Sequence, residues 1–168
     1  CAEALYERVF VEYGDDSVAQ LGGAHLAVEG ASNLLTKELE WGRLMAYLEQ
    51  STRYVSYTDR PGGAWKYVVP RELSKTPLAS EYRAVLDDAF STYATWIEAV
   101  EQHFTALHPR GPEDSVAVYQ RTIRAKALDT LRGLLPAATS SNVGIFGSGQ
   151  AWEALILRLL AHPLDEMR

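Results

Sequence analysis

Glu49, Ser51 and Arg53 stand two residues apart, and together they could hold an anion. If the backbone is extended there, a period of two sends all three side chains to one side. An arginine fork binds phosphate or carboxylate through paired hydrogen bonds. A serine hydroxyl can donate to the same anion, and a nearby carboxylate can accept from a sugar hydroxyl. The group then reads as a cup for a nucleotide monophosphate. It also reads as the solvated end of a helix, since the stretch EWGRLMAYLEQSTRYV from Glu40 to Val55 begins with helical character.

Other cations could serve the same chemistry. Arg121 and Arg132 lie eleven residues apart, almost a whole number of helical turns, with Arg124 close by. Such a stripe can attract a phosphate or form a solvated face. Arg158 sits inside Leu155-Ile156-Leu157-Arg158-Leu159-Leu160, where a guanidinium must reach water, pair with an acid or meet a ligand. His25, His103, His108 and His162 show no metal-ligand spacing, so no metal site is expected. Neither a phosphate-binding loop nor a dinucleotide fingerprint is present.

The composition bounds the possibilities. A chain of 168 residues fits a single domain, 1–168, with a sizeable core. A net charge of −6 argues against a general nucleic-acid-coating role, though not against one basic pocket. The one cysteine, Cys1, can build neither a disulfide framework nor a zinc cluster, and a cytoplasmic setting follows. No apolar run is long enough to span a bilayer. The chain starts without Met inside a helical pattern, as expected of a segment truncated at both ends or part of a longer chain.

The elements that must position these residues follow from periodicity. Ala2–Val11 reads as a short amphipathic helix carrying Leu5, Tyr6 and Val9, broken at Tyr13-Gly14. Asp15 and Asp16 can cap a turn over Ser17–Leu21, which Gly22-Gly23 ends. Ala24–Gly30 fits a strand or a helix. From Ser32, Leu34, Leu35, Leu39, Leu44, Met45 and Leu48 predict a helix. Residues 51–64 read as a loop and Trp65–Val69 as a short strand closed by Pro70. Leu86, Phe90, Tyr93, Ile97, Val100, Phe104 and Leu107 predict a long helix over Leu78–Leu107, for a core or for packing against another copy. A further helix is expected over Glu113–Leu135, with Val116, Tyr119, Ile123, Ala127, Leu131 and Leu134 on its apolar face. A strand over Val143–Phe146 and a last helix over Gln150–Leu160 complete an α+β order.

Taken in order, these residues resemble the flavin-dependent thymidylate synthases. That family carries Arg-His-Arg, seven residues, then Ser-x-Arg-Tyr; here Trp41-Gly42-Arg43 and Ser51-Thr52-Arg53-Tyr54 stand at the same separation. The family's early Tyr-Gly-His-x-Ser/Thr-x-x-Glu-His meets Tyr13-Gly14-Asp15-Asp16-Ser17-Val18-Ala19-Gln20. Its late Arg-x-x-Leu-Pro and closing Leu-Arg meet Arg132-Gly133-Leu134-Leu135-Pro136 and Leu157-Arg158. The likeness covers roughly residues 6–168.

The resemblance implies a helix-rich fold with a small, mostly antiparallel sheet and a long packing helix. It implies reductive methylation of dUMP to dTMP, with FAD as cofactor and NADPH and methylenetetrahydrofolate as co-substrates. Glu49, Ser51, Arg53, Arg132 and Arg158 would contact dUMP, Arg158 reaching the uracil. Ser17, Gln20, Trp41 and Arg43 would hold FAD, Trp41 by stacking on a ring. No enzyme nucleophile is implied. Partners would be dUMP and further copies, in a homotetramer or a tandem arrangement. The departures cluster: Trp41 and Gly42 replace the first two members of the triplet, Asp15 the early His, Gln20 the early Glu, and Gly147-Ser148-Gly149-Gln150 the late Asn-x-Arg. Two expectations follow, a divergent enzyme, or a catalytically degenerate nucleotide-binding or scaffold domain beside an active copy.

Overall fold

The protein is described from a computed structural model, which covers residues 2–12 and 17–168. Cys1, the Tyr13-Gly14 break and the caps expected at Asp15 and Asp16 lie outside the described residues, as does the side chain of Tyr6. The helices are α1 (Ala2–Glu7), α2 (Asn33–Leu39), α3 (Arg71–Ser74), α4 (Leu78–Leu107), α5 (Val116–Leu131) and α6 (Gly149–Leu160). The strands are β1 (Gly23–Ser32), β2 (Met45–Glu49) and β3 (Ser140–Ser148). Contacts divide the chain into two compact units, residues 1–49 with 141–168, and residues 50–140. The result is an α+β fold, helix-rich with one small antiparallel sheet.

In the first unit, the sheet order is β1-β3-β2, so the strand latest in sequence is central. β2 and β3 pair antiparallel, Met45 opposite Gly147 and Glu49 opposite Val143. Ser141, Val143, Ile145 and Gly147 point inward along β3 while Asn142 and Phe146 face out. The inner face packs Val143 and Ile145 against Leu39 of α2 and Leu155 of α6. Ser32 joins β1 to α2: its buried hydroxyl accepts from the Leu35 amide at 3.1 Å, capping the helix. The Glu166 carboxylate accepts from both the amide and the hydroxyl of Ser32, at 2.8 and 2.7 Å.

Several expectations change here. The ambiguous Ala24–Gly30 segment is a strand. The helix expected from Ser32 through Leu48 ends at Leu39, and the chain turns and resumes as β2. Leu44 and Leu48 therefore lie exposed rather than on a helical face. The apolar spacing of 44–48 fits either period, and the ladder with β3 decides it. Strand β3 is longer than Val143–Phe146, because its inward serine and glycine positions carried no apolar signal. The Ala2–Val11 helix is present as α1 followed by a single π turn over Arg8–Glu12, and Ser17–Leu21 is the expected turn, of 3-10 type.

The second unit is built on α4, which spans the expected residues. Phe90 and Tyr93 are fully buried with Ile97 beside them, meeting Leu128 and Leu131 of α5. The Trp65 and Tyr67 rings flank Phe90, with centroids 5.7 and 5.8 Å away. α5 runs back along α4, as Tyr119 donates to the His108 carbonyl at 2.8 Å and Arg124 pairs with Glu101 at 2.6 Å. The helix expected over Glu113–Leu135 is shorter. Gly111 and Asp114 close a turn before it, and a 3-10 turn over Arg132–Leu134 tightens the chain ahead of Pro136. Val116 and Leu134, expected on its buried face, are exposed. The strand expected at Trp65–Val69 is only one bridge, Tyr67 with Thr139, since Pro70 offers no amide to extend a ladder. Among the described residues, no helix is long and apolar enough to cross a membrane.

Phe90 fills the centre of the second core. Phe90→Ala is expected to cost about 3–5 kcal/mol in urea denaturation, by lost burial and a residual cavity. Val85→Ala, on the exposed face of the same helix, should change stability by less than about 0.5 kcal/mol.

Candidate functional site

In the first unit, α6 presents Ala151, Ala154, Leu155 and Arg158 at helical spacing along one side of a cleft of about 210 Å³. The two alanines leave the space that larger side chains would fill. Gln20, Arg43 and Met45 line the rest. Gln20 reaches the cleft because the turn Ser17–Leu21 sits against the start of α6, where Gly149 donates to the Gly22 carbonyl at 3.1 Å. A Cβ on Gly149 would come within 2.9 Å of the Ala19 Cβ and 3.0 Å of its carbonyl oxygen. Glycine therefore permits this approach. The Gln20 side-chain amide donates to the Gln150 carbonyl oxygen.

Arg158 is the chemically demanding member. One terminal nitrogen donates to the Glu38 carbonyl near the end of α2, while Nε is buried without a hydrogen-bond partner. A buried guanidinium hydrogen lacking an acceptor is costly. The stretch therefore meets a backbone carbonyl and not an acid. Arg43, also lining the cleft, is exposed in the turn after α2.

That turn is fitted to glycine. The Tyr47 hydroxyl donates to the Gly42 carbonyl at 2.8 Å, and a Cβ on Gly42 would stand 2.8 Å from the same hydroxyl. Burial pushes the Tyr47 hydroxyl above its ordinary pKa, against the opposing pull of the Arg158 cation. Trp41, next in the turn, is 74% exposed and forms no part of the cleft lining. Ser17 is exposed at the first position of its turn.

Glu49 ends β2 and not a helix. Its carboxylate accepts from the Thr36 hydroxyl at 3.1 Å and from the Lys37 ammonium at 2.8 Å, tying β2 to α2. That bond to Glu49 is the main cause of a raised Lys37 pKa, against desolvation. The alternation expected to place Glu49, Ser51 and Arg53 on one side stops at Glu49. The Ser51 carbonyl accepts from the amides of Tyr54 and Val55, at 3.2 and 3.1 Å, which closes a turn.

In the second unit, Arg53 and Arg132 meet on one carboxylate. Asp129 Oδ1 lies 3.6 Å from Arg53 Nε and 3.0 Å from Arg132 Nε. Asp129 was not singled out by sequence, although its i,i+3 spacing to Arg132 was a readable signal. Tyr47 was equally missed, and Gln150 was read only as a departure from the family's late Asn-x-Arg. Their contacts depend on strand pairing and on how Ser17–Leu21 packs. No cluster of metal-ligating side chains exists among the described residues.

An α+β domain of this kind, with guanidinium groups set in clefts, is suited to anionic ligands. A family model described as thymidylate synthase complementing protein matches residues 2–168, and the chain belongs to that family. It is 42% identical to a UPF0159 protein of Chlamydia muridarum and 41% identical to one of Chlamydia pneumoniae, over 99% of this chain. It spans only 32%, about a third, of the length of each. A flavin-dependent thymidylate synthase of Mycobacterium marinum is 30% identical over 98% of this chain and 61% of its own length.

Tyr47→Phe removes the hydroxyl that braces the turn, and amide hydrogen exchange over Gly42–Leu44 is expected to rise several-fold. Because the folded pKa is raised, the hydroxyl's contribution is fully present below the ordinary tyrosine value and lost only as pH climbs through the raised one. Exchange in the native protein, corrected for intrinsic rates, should therefore stay flat up to that alkaline limit.

Proposed function

We propose that this chain is a divergent flavin-dependent thymidylate synthase domain, spanning residues 1–168, acting in the reductive methylation of dUMP to dTMP. The reading is supported by family membership and by the flavin-dependent thymidylate synthases among its relatives. The observation that carries it is the buried, unpartnered Nε of Arg158 in the cleft that Gln20 and Arg43 also line. Those donors suit the carbonyl edge of a uracil or of a flavin ring. The cleft of about 210 Å³ suits one such ring and is smaller than a usual pocket for a whole large ligand.

On this reading Arg43 and Gln20 would hold FAD from the cleft, and Ser17 and Trp41, which lie outside its lining, would contact it beyond the cleft, Trp41 by stacking on a ring. The chemistry such a bound FAD would supply is hydride transfer, with NADPH and methylenetetrahydrofolate as the co-substrates this reading requires. Arg158 orients the uracil of dUMP by donating to a ring oxygen, and the apolar wall at Leu155 and Met45 keeps water from that donor. Arg53 and Arg132, steadied through their Nε atoms by Asp129, offer terminal nitrogens to the nucleotide phosphate, with Ser51 assisting. Glu49 positions β2 through Lys37 and accepts from the nucleotide where that bond is exchanged. A homo-oligomeric assembly, a homotetramer or a tandem copy, and a cytoplasmic location belong to the same proposal.

A second reading is favoured by Gly42. The turn is closed over a glycine where the family carries histidine, with the Tyr47 hydroxyl in the space a side chain would need. A degenerate nucleotide-binding or scaffold domain beside an active copy would keep such a turn.

The visible spectrum of protein soaked in FAD and desalted separates the two. A retained flavin band, weakened in Arg43→Ala, and dUMP-dependent oxidation of the reduced flavin are expected for the enzyme. Arg158→Gln should weaken dUMP at least about tenfold, by removal of a charged donor. A colourless protein that still binds dUMP would establish the scaffold reading.

A further inference from the structure

We propose that Arg53, Arg121 and Arg124 form an oxyanion-binding cleft for a multiply charged phosphate or carboxylate ligand. The cleft, about 370 Å³, lies within the second unit and is lined by Arg53, Tyr54, Gln120, Arg121, Arg124 and Ala125. Arg121 and Arg124 are neighbours at i,i+3 on α5. Neither belongs to the dUMP or FAD contacts proposed above, and Arg53 alone is shared with them.

The pattern of partners sets this cleft apart from an ordinary solvated face. Arg121 has no ion pair or hydrogen-bond partner among the described residues. Arg53 meets Asp129 only through Nε, which leaves its terminal pair of nitrogens without an acceptor. Arg124 uses Nη1 on Glu101, at 2.6 Å. Glu101 and Asp129 are thus the acids paired with these cations, and Asp129 is shared with Arg132. A cationic surplus is concentrated here in a chain of net charge −6. Like charges lining one cleft repel one another unless an anion offsets them, and bidentate pairing with a phosphate or carboxylate is the strongest contact available to a guanidinium. Tyr54, 72% exposed at the edge of the cleft, offers a ring face to a planar group on the same ligand. Gln120 adds an amide that can donate to an uncharged oxygen.

The test is calorimetric titration of the protein at low ionic strength with sodium pyrophosphate and, separately, with sodium citrate. Saturable binding of at least one anion is expected, with Arg121→Gln weakening it about tenfold. Arg121→Lys, which keeps the charge and loses the fork, should fall between the two. Arg121 makes no described contact, so melting of both variants should match that of the parent. Preference for pyrophosphate would identify the ligand as a phosphate, and preference for citrate as a polycarboxylate. Absence of saturable binding would overturn the proposal. So would an equal loss in Arg71→Gln, which changes an exposed arginine on α3 outside the cleft. Arg53 also serves the nucleotide phosphate in the thymidylate synthase reading, so Arg132→Gln separates the two: binding lost in Arg121→Gln and kept in Arg132→Gln belongs to this cleft, whereas binding lost in Arg132→Gln and kept in Arg121→Gln belongs to the nucleotide site and overturns the proposal.

Discussion

The first unit depends on the central place of β3. This strand comes from residues 140–148, yet it lies between β1 and β2, which belong to the opening third of the chain. A central strand must satisfy amides and carbonyls on both sides, so it fixes the register of both neighbours. It also delivers α6 directly from its end, and with α6 come Gln150, Ala151, Ala154 and Arg158. The cleft is therefore a product of long-range pairing. Its walls, Arg43 and Met45 on one side and the α6 stripe on the other, have no local reason to meet.

Small residues do much of the positioning. Gly149 lets the Ser17–Leu21 turn lie against α6, and Gly147 faces Met45 so closely that a Cβ would stand 2.5 Å from its terminal methyl. Ala151 and Ala154 then leave a gap in which a large polar head can sit. Arg158 occupies its edge with an unpartnered Nε, an arrangement that costs folding free energy and is tolerable because Glu38 supplies one acceptor. The same economy of space explains why the turn at Gly42 can close under Tyr47.

The second unit uses charge differently. Its core is aromatic and local to α4, α5 and the preceding loop, so it needs little help from ion pairs. Its exposed salt bridges contribute modestly to stability. Their consequence is position: Asp129 draws the Nε atoms of two arginines to one carboxylate oxygen, and Glu101 pairs with a third arginine.

Periodicity and local breakers determined the long α4 over its full length, the last helix nearly to the residue, the end of the turn at Gly22-Gly23 and the α+β order, because those signals are local. The residues that form the candidate cleft, Gln20, Arg43 and Arg158, were legible as types through the family's spacing. Tertiary structure decided the rest. Met45–Glu49 carries an apolar pattern compatible with a helix, and only hydrogen bonding to β3 makes it a strand. Glu49 was readable as an acid but not as the partner of Lys37 and Thr36, since that contact needs the β2–α2 turn to close. The contacts of Asp129 with Arg53, of Tyr47 with Gly42 and of Gln150 with Gln20 were not legible. Each acts through a neighbour that the fold brings to it, and a sequence records such a neighbour only as an ordinary residue some distance along the chain.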